Sequence, residues 1–330
     1  MRHTQYIKTR LKSRLHGWHR DTGWQLGLNQ SFLKNARGVR ILVYHGLCTD
    51  HPFQYNTLFL SRQSFEKQLR LFKKYFHFLS LDDVYEHRFA EDRFNLCLSF
   101  DDGFANNYKY VLPLLEQYEV PACFFVTGIR EAGYDILWND LLAVLQKCGP
   151  DEIESLNKRW KRDREEKYCS EDGKFLTQEL RSTGFHEKAE LIRMYGSYRY
   201  HASEDYWLQM NEEQIRKLSE SKWATIGSHG YYHNDLAQLP ASFARSELQQ
   251  SKRFLERVTQ KSINAIAFPY GSYARETLAL ARECGYTAML ATDFIFQEDE
   301  KDKALKERLT INPFITAINQ MHANIYGNYQ

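Results

Sequence analysis

The stretch Phe94-Asn95-Leu96-Cys97-Leu98-Ser99-Phe100-Asp101-Asp102-Gly103-Phe104 constrains this chain more than any other. Its first seven residues form a short, largely apolar run with large side chains, the pattern of a buried strand. Two adjacent carboxylates follow. Then comes Gly103, which can take backbone angles closed to other residues. Beyond it, Phe104, Tyr108, Val111, Leu112 and Leu115 recur at helical spacing. The carboxylates therefore belong where a strand hands over to a helix, the end at which α/β sheets and barrels bind ligands. A lone Asp before a helix reads as an N-cap. Two neighbouring Asp repel unless a cation or a shared proton settles the charge. The pair thus points to a metal beside a base and calls for further ligands elsewhere.

Strand and helix patterns alternate around this stretch. Residues 39–44 read as a core strand running into His45-Gly46, and 64–76 as an amphipathic helix capped by Ser61 or Ser64. A short strand at 78–81 leads into a small helix, where Asp82 and Asp83 read as cap and first-turn charges. Residues 122–127 are another buried strand. This rhythm predicts parallel strands with right-handed crossovers. Residues 130–215 break it. Their apolar residues, such as Leu141, Leu142 and Leu145, follow helical patterns, and the charge run 158–167 reads as a solvated helix face. The segment is expected to be a mostly helical insertion or lid, with Trp138-Asn139-Asp140 near a cleft. Strands at 223–228, 263–268, 287–291 and 309–311 then alternate with helices at 212–220, 241–258 and 275–284. In the helix 241–258, Phe243, Leu248, Leu255 and Val258 are expected inward.

The chain has 330 residues, 43% hydrophobic and 26% charged, which suits a globular α/β protein. Residues 1–40 carry nine Lys/Arg against one Asp, a net +8, leaving −6 for the rest of a chain of net charge +2. The basic N-terminus offers a weak contact for an anionic membrane surface. No aromatic-interleaved basic motif supports nucleic-acid recognition. Cys48, Cys97, Cys123, Cys148, Cys169 and Cys284 contain no C-x-x-C pair, the usage of a reducing compartment rather than of a disulfide framework or structural zinc site. No signal-peptide core or membrane-spanning apolar run is seen, so the expected address is cytoplasmic.

Several strand ends now carry polar groups: His45, Asp101 with Asp102, His229 with His233, and Pro269-Tyr270-Gly271. In an α/β barrel such ends converge on one rim. The spacing His-x-x-x-His puts both imidazoles on one side if the segment turns helically. Two His and one carboxylate make a catalytic ligand set for a divalent metal with an open position for water. The other carboxylate is then free to act as general base.

Phe-Asp-Asp-Gly at 100–103, Ser-His-Gly-Tyr-Tyr-His at 228–233 and Phe-Pro-Tyr-Gly at 268–271 resemble the polysaccharide deacetylase family, metal-dependent esterases that remove acetyl groups from N-acetylated sugars. The resemblance covers roughly residues 39–130 and 215–312. It implies a distorted seven-stranded (β/α) barrel over 39–312, interrupted by the 130–215 insertion, with a basic extension at 1–38 and a tail at 313–330. It also implies Asp101 as general base and Asp102, His229 and His233 as metal ligands. The Tyr270 backbone N–H becomes an oxyanion donor. The metal is zinc by family habit, with cobalt, nickel or iron accepted by some members.

Two departures stand out. Many members carry an Arg two residues before the Pro-Tyr, where this chain has Ala267; Arg308 is the candidate substitute. The late Leu-x-His that supplies a general acid in many members is missing, and His322 sits in what reads as a polar tail. Tyr44-His45 instead resembles the opening motif of the poly-N-acetylglucosamine deacetylase branch, which implies His45 as the acid. The expected function is deacetylation of an N-acetylated polysaccharide, oligosaccharide or glycan precursor. O-deacetylation, a small-molecule amidase on the same site, and a non-catalytic glycan-binding barrel are the alternatives.

Overall fold

Every strand of the central sheet runs parallel to its neighbours, and parallel pairs need crossovers, which this chain supplies mainly as helices. The computed structural model describes residues 17–329. Six strands follow in chain order: β1 (Gly38–Tyr44), β2 (Phe94–Phe100), β3 (Ala122–Val126), β4 (Ala224–Ser228), β5 (Ala265–Ala267) and β6 (Ala288–Ala291). The last, β7, comes in two pieces, Leu305–Glu307 and Leu309–Thr310, with Arg308 between them. The first piece pairs with β6 and the second with β1. The path thus holds eight strand segments, and its two edges meet through one residue, which nearly closes a barrel. Counted with β7 as one bent strand, the ring among the described residues has the expected seven. A further short strand, Phe76–Leu79, pairs with the first half of β2 outside the ring.

Period-two alternation divides each strand between two cores. Ile41, Cys97, Cys123, Phe125, Ala265, Ala267 and Leu290 belong to a compact inner cluster. Their neighbours Leu42, Leu96, Leu98, Phe124 and Ile266 pack in a larger cluster with the helices. The interior is tight: a Cβ at Gly227 would lie 2.5 Å from the Phe125 ring. Small residues there leave room for one large polar side chain at the mouth, and Arg308 takes it.

The segment between β3 and β4 is mixed rather than mostly helical. Helices Trp138–Cys148, Leu176–Arg181 and Phe185–Tyr195 flank a three-stranded antiparallel sheet, Glu152–Ser155, Lys158–Arg162 and Tyr168–Cys169. The first half of the 158–167 charge run, Lys158–Arg162, is therefore a strand, and the second half is a turn. Trp160 is buried on one face while Arg159 and Lys161 point out. The turn before it has Leu156 and Asn157 both at positive φ, the primed geometry that suits a two-residue hairpin. Trp138, Leu141, Leu145, Ile153 and Trp160 give this segment a core of its own.

The 313–330 tail is also more structured than its polarity suggests. Ala317–Tyr326 is a helix, capped by the Thr316 hydroxyl, with Ile318, Met321, His322 and Ala323 buried. Residues 17–25 are helical, and the Thr316 hydroxyl donates to Asp21 at 2.6 Å. Residues 1–16, most of the basic extension, lie outside the described residues. Elsewhere, Ser61 caps the helix Arg62–Tyr75. Ser80, rather than Asp82, caps Leu81–Tyr85, with Asp83 completing the capping box. Phe243, expected inward, is 65% exposed.

Candidate metal centre

The paired carboxylates leave β2 in different directions because the backbone turns between them. Asp101 continues the inward alternation of Cys97 and Ser99, and its N–H donates to the Tyr44 carbonyl at 3.0 Å. Asp102 and Gly103 then take left-handed conformations, φ +72° and +81°. Asp tolerates this region better than most residues, and Gly pays no steric penalty in it. Gly103 is constrained a second time, since a Cβ there would lie 2.9 Å from Val126 on β3.

His229 follows β4 directly, and its N–H donates to the Val126 carbonyl at 3.0 Å. The segment to His233 is not the helical turn that the spacing suggests. It is an irregular loop with Gly230 at φ +75° and His233 at φ +57°. Both rings still reach the same atom: His229 Nε2 lies 3.3 Å and His233 Nε2 3.2 Å from Asp102 Oδ1. The three side chains are buried and their donor atoms mutually close, the arrangement of a metal site.

Hydrogen bonding shows why this set fits a cation. His229 Nδ1 lies 2.8 Å from the Ala267 carbonyl. A carbonyl only accepts, so Nδ1 carries the proton, and Nε2 of the neutral ring is a bare lone pair aimed at a carboxylate oxygen. His233 Nδ1 lies 3.3 Å from the Tyr270 hydroxyl, which sits 3.5 Å from the His233 carbonyl. A hydroxyl that donates to that carbonyl accepts from Nδ1–H, and again Nε2 is bare. Three acceptors converging on one point repel unless a cation sits among them.

The electrostatics agree. Burial pushes Asp102 up, but the two imidazoles facing it outweigh this and hold it well below the usual carboxylate range. His229 is pulled both ways: burial lowers it, and Asp101 and Asp102 raise it, with a net rise. His233 is lowered, chiefly by burial.

Asp101 is the spare acid. Arg308 Nη1 reaches Asp101 Oδ1 at 2.7 Å, and Nη2 reaches Oδ2 at 2.8 Å. Nη1 also donates to Ser99 Oγ at 3.1 Å. Burial raises Asp101, but Arg308 and then His229 overcome it and keep the carboxyl below its ordinary value. Each oxygen retains a second lone pair, so the fork leaves acceptor capacity free. Arg308, the candidate substitute for an Arg at 267, thus meets Asp101 from β7, while β5 carries Ala267.

His45 stands at the end of β1. Its carbonyl accepts from Asn107 Nδ2 at 2.9 Å, and its imidazole is near enough to help lower both Asp101 and Asp102. Its Nδ1 is buried and, among the described residues, without a partner. Tyr270 sits at φ +61° in the turn after β5. Burial, then Asp102, keeps its phenol strongly protonated. His322 is not in the site; its ring stacks on Phe32 with centroids 5.0 Å apart.

Trp138-Asn139-Asp140, expected near a cleft but given no role, and Gln209, which no sequence signal singled out, also lie around this centre. Asp140 is buried on the insertion's first helix, and burial followed by Asp102 raises its carboxyl well above the usual range. Asp140 Oδ2, Trp138 Nε1 and Gln209 Nε2 are buried without partners among the described residues. The signal was present in Trp138-Asn139-Asp140 as polar groups opening a helix, but nothing local says which face that helix turns inward.

The polysaccharide deacetylase family profile matches residues 90–169 and 197–289, which include Asp101, Asp102, His229, His233 and Tyr270. His45 and Arg308 fall outside the matched segments. Over 84 residues, 26% of this chain, the sequence is 29% identical to the Bacillus subtilis protein YxkH, of whose length that stretch spans 30%. Among solved structures, the Streptococcus pyogenes deacetylase PplD, in complex with acetate, superposes with a TM-score of 0.58 at 18% identity, covering 88% of this chain and 99% of that one. IcaB from Ammonifex degensii gives 0.54 at 16% identity, covering 88% and 98%. These likenesses show the fold.

Proposed function

This chain belongs to the polysaccharide deacetylase family, and from that premise we propose that it is a metal-dependent hydrolase that removes the acetyl group from an N-acetylated sugar. One observation carries the reading: Asp102 faces two bare imidazole nitrogens while its neighbour Asp101 is held apart on an arginine fork. Binding alone needs no second carboxylate beside a metal. A non-catalytic barrel would draw support from the missing Arg at Ala267, and Arg308, paired with Asp101, weighs against it.

Asp102, His229 and His233 would hold the metal, and two nitrogens with one carboxylate suit zinc. When bound, a divalent cation supplies Lewis acidity toward the acetyl carbonyl and toward water. Asp101 takes the proton of the attacking water; Arg308 keeps it ionised and aimed, at some cost in basicity. The Tyr270 N–H donates to the carbonyl oxygen as negative charge develops there. His45 gives a proton to the amide nitrogen as the C–N bond breaks, so that acetate and a free amine leave. The buried, unpartnered groups of Asp140, Trp138 and Gln209 suit a substrate rich in hydroxyl and amide groups.

Six free cysteines, with Cys97 and Cys123 buried in strands, favour a reducing, cytoplasmic address and hence a soluble glycan precursor. Among the described residues, no helix is long and apolar enough to cross a membrane. The test is acetate release from a panel of N-acetylated sugars, oligosaccharides and nucleotide sugars. Activity should vanish on chelation, return with zinc, and be lost in Asp101→Asn while one equivalent of zinc still binds. A panel with no acetate released by the zinc-loaded wild type overturns the proposal.

A further inference from the structure

We propose that the insertion completes the outer shell of the metal centre: Arg181 and Lys188 act as positioning residues that hold the loop carrying His233, so that metal affinity depends on them. The inference rests on reading Asp102, His229 and His233 as the ligands.

Two side chains cross from the insertion to this loop, on either side of His233's successors. Arg181, the last residue of the helix Leu176–Arg181, sends both Nε and Nη2 to Asp235 Oδ2 at 2.8 Å. Asp235 is 1% exposed, and the guanidinium lies 4.5 Å from the Tyr270 ring centroid. Tyr270 is the residue whose hydroxyl meets His233 Nδ1. One arginine therefore fixes the loop and lies against the ring that orients a ligand imidazole.

Lys188, fully buried in the helix Phe185–Tyr195, donates from Nζ to Asn234 Oδ1 at 2.5 Å and to the Thr183 carbonyl at 3.0 Å. Asn234 Nδ2 passes the link to Glu247 Oε1 at 2.5 Å, and Glu247 Oε2 accepts from the N–H groups of Tyr231 and Tyr232 at 3.2 and 3.1 Å. A buried cation, an amide and a buried carboxylate thus run in series from the insertion to the barrel helix Ala241–Thr259, through the loop. A buried ammonium is costly unless paired in this way. Its partner, Asn234, is the next residue after a metal ligand.

The loop needs this help. It is not a helix, it has two residues at positive φ, and the N–H groups of Gly230, Tyr231 and Tyr232 are held by the side chains of Ser228 and Glu247. Groups that orient ligand imidazoles govern metal affinity by about 10- to 100-fold.

Zinc affinity and zinc release to a competing chelator are measured on the full chain, together with the visible spectrum of the cobalt-substituted protein. Arg181→Ala is the main variant, because the side chain is 44% exposed, and Arg181→Ala with Asp235→Asn, which leaves no buried carboxylate without its cation, controls for folding. Zinc binding should weaken by about 10- to 100-fold, with a changed cobalt spectrum and partial recovery in Arg181→Lys. Lys188→Met should move affinity the same way, and Arg193→Ala, on the same segment but solvent-facing, should not. Wild-type zinc affinity and release in both Arg181→Ala and Lys188→Met overturn this inference alone. A wild type that binds no zinc overturns the ligand assignment, and this inference with it.

Discussion

Arg308 closes on Asp101 with both arms of its guanidinium, at 2.7 and 2.8 Å, across 207 residues of sequence. Both side chains are buried, so removing the cation strands a carboxylate inside the barrel mouth. Arg308→Met should cost about 3–5 kcal/mol in urea unfolding. The pH dependence follows from the sign of the shift. Asp101 is lowered in the fold, so its contribution is present above the unfolded carboxylate value near about 3.9 and is lost as pH falls through the folded value. Without Arg308 the folded value rises. The acid limb of the kcat/KM profile should therefore move to higher pH, and a profile that stays in place would separate Arg308 from the base.

Ala267 and Arg308 face the same interior from β5 and β7, and only one guanidinium has a partner there. Ala267→Arg alone adds a second buried cation and should destabilise by about 3 kcal/mol or more. Ala267→Arg combined with Arg308→Ala should recover part of the activity lost in Arg308→Ala, because one fork again meets Asp101. Acetate release by the single and double variants checks this. A double variant no better than Arg308→Ala would show that the β5 position cannot reach the base in this chain.

How far the sequence reads depends on how local each cause is. The strand ends at Asp101, His229 and Tyr270 were legible because apolar runs, glycines and polar residues sit side by side. The ring of seven was not countable from periodicity, since β7 is two short pieces around a buried charge, and a strand interrupted by Arg308 looks like a loop. The strand at Lys158–Arg162 was misread because one tryptophan among four cations carries too little alternation, and its turn uses Leu156-Asn157 in place of a glycine-bearing pair. Phe243 was placed inward by spacing, yet its neighbours leave that face open. The links of Arg181 to Asp235 and Lys188 to Asn234 join residues 54 and 46 apart, and no local pattern announces them.

His322 shows how a polar residue can be buried by its stacking partners. It stacks on Phe32 beside Tyr326, the three ring centroids lying 5.0, 5.6 and 6.3 Å from one another. Burial, then the charge of Arg20, lowers it to about 4. A lowered histidine stabilises the fold above its unfolded value near about 6.5, and that contribution is lost as pH falls toward the folded value. Wild-type stability should thus drop by up to about 3 kcal/mol between pH 6.5 and 4 on this account. His322→Phe keeps the ring stack and removes the titration, so its urea midpoint should fall less over the same range. Parallel pH curves for the two proteins would count against the assignment.

The role proposed for His45 can be isolated by choosing the leaving group. An amine leaves as a strong base unless it is protonated, whereas a phenolate such as p-nitrophenolate needs no proton. General acid catalysis is worth about 10²- to 10⁴-fold when it is required. His45→Ala should therefore lose about that factor in kcat on an N-acetylated sugar and little on p-nitrophenyl acetate, with zinc affinity near that of wild type. Asp101→Asn should lose both activities, since the base acts before the leaving group is chosen. Equal losses on the two substrates in His45→Ala would mean that His45 shapes the site rather than delivering the proton, and the buried carboxyl of Asp140 would become the next candidate to replace.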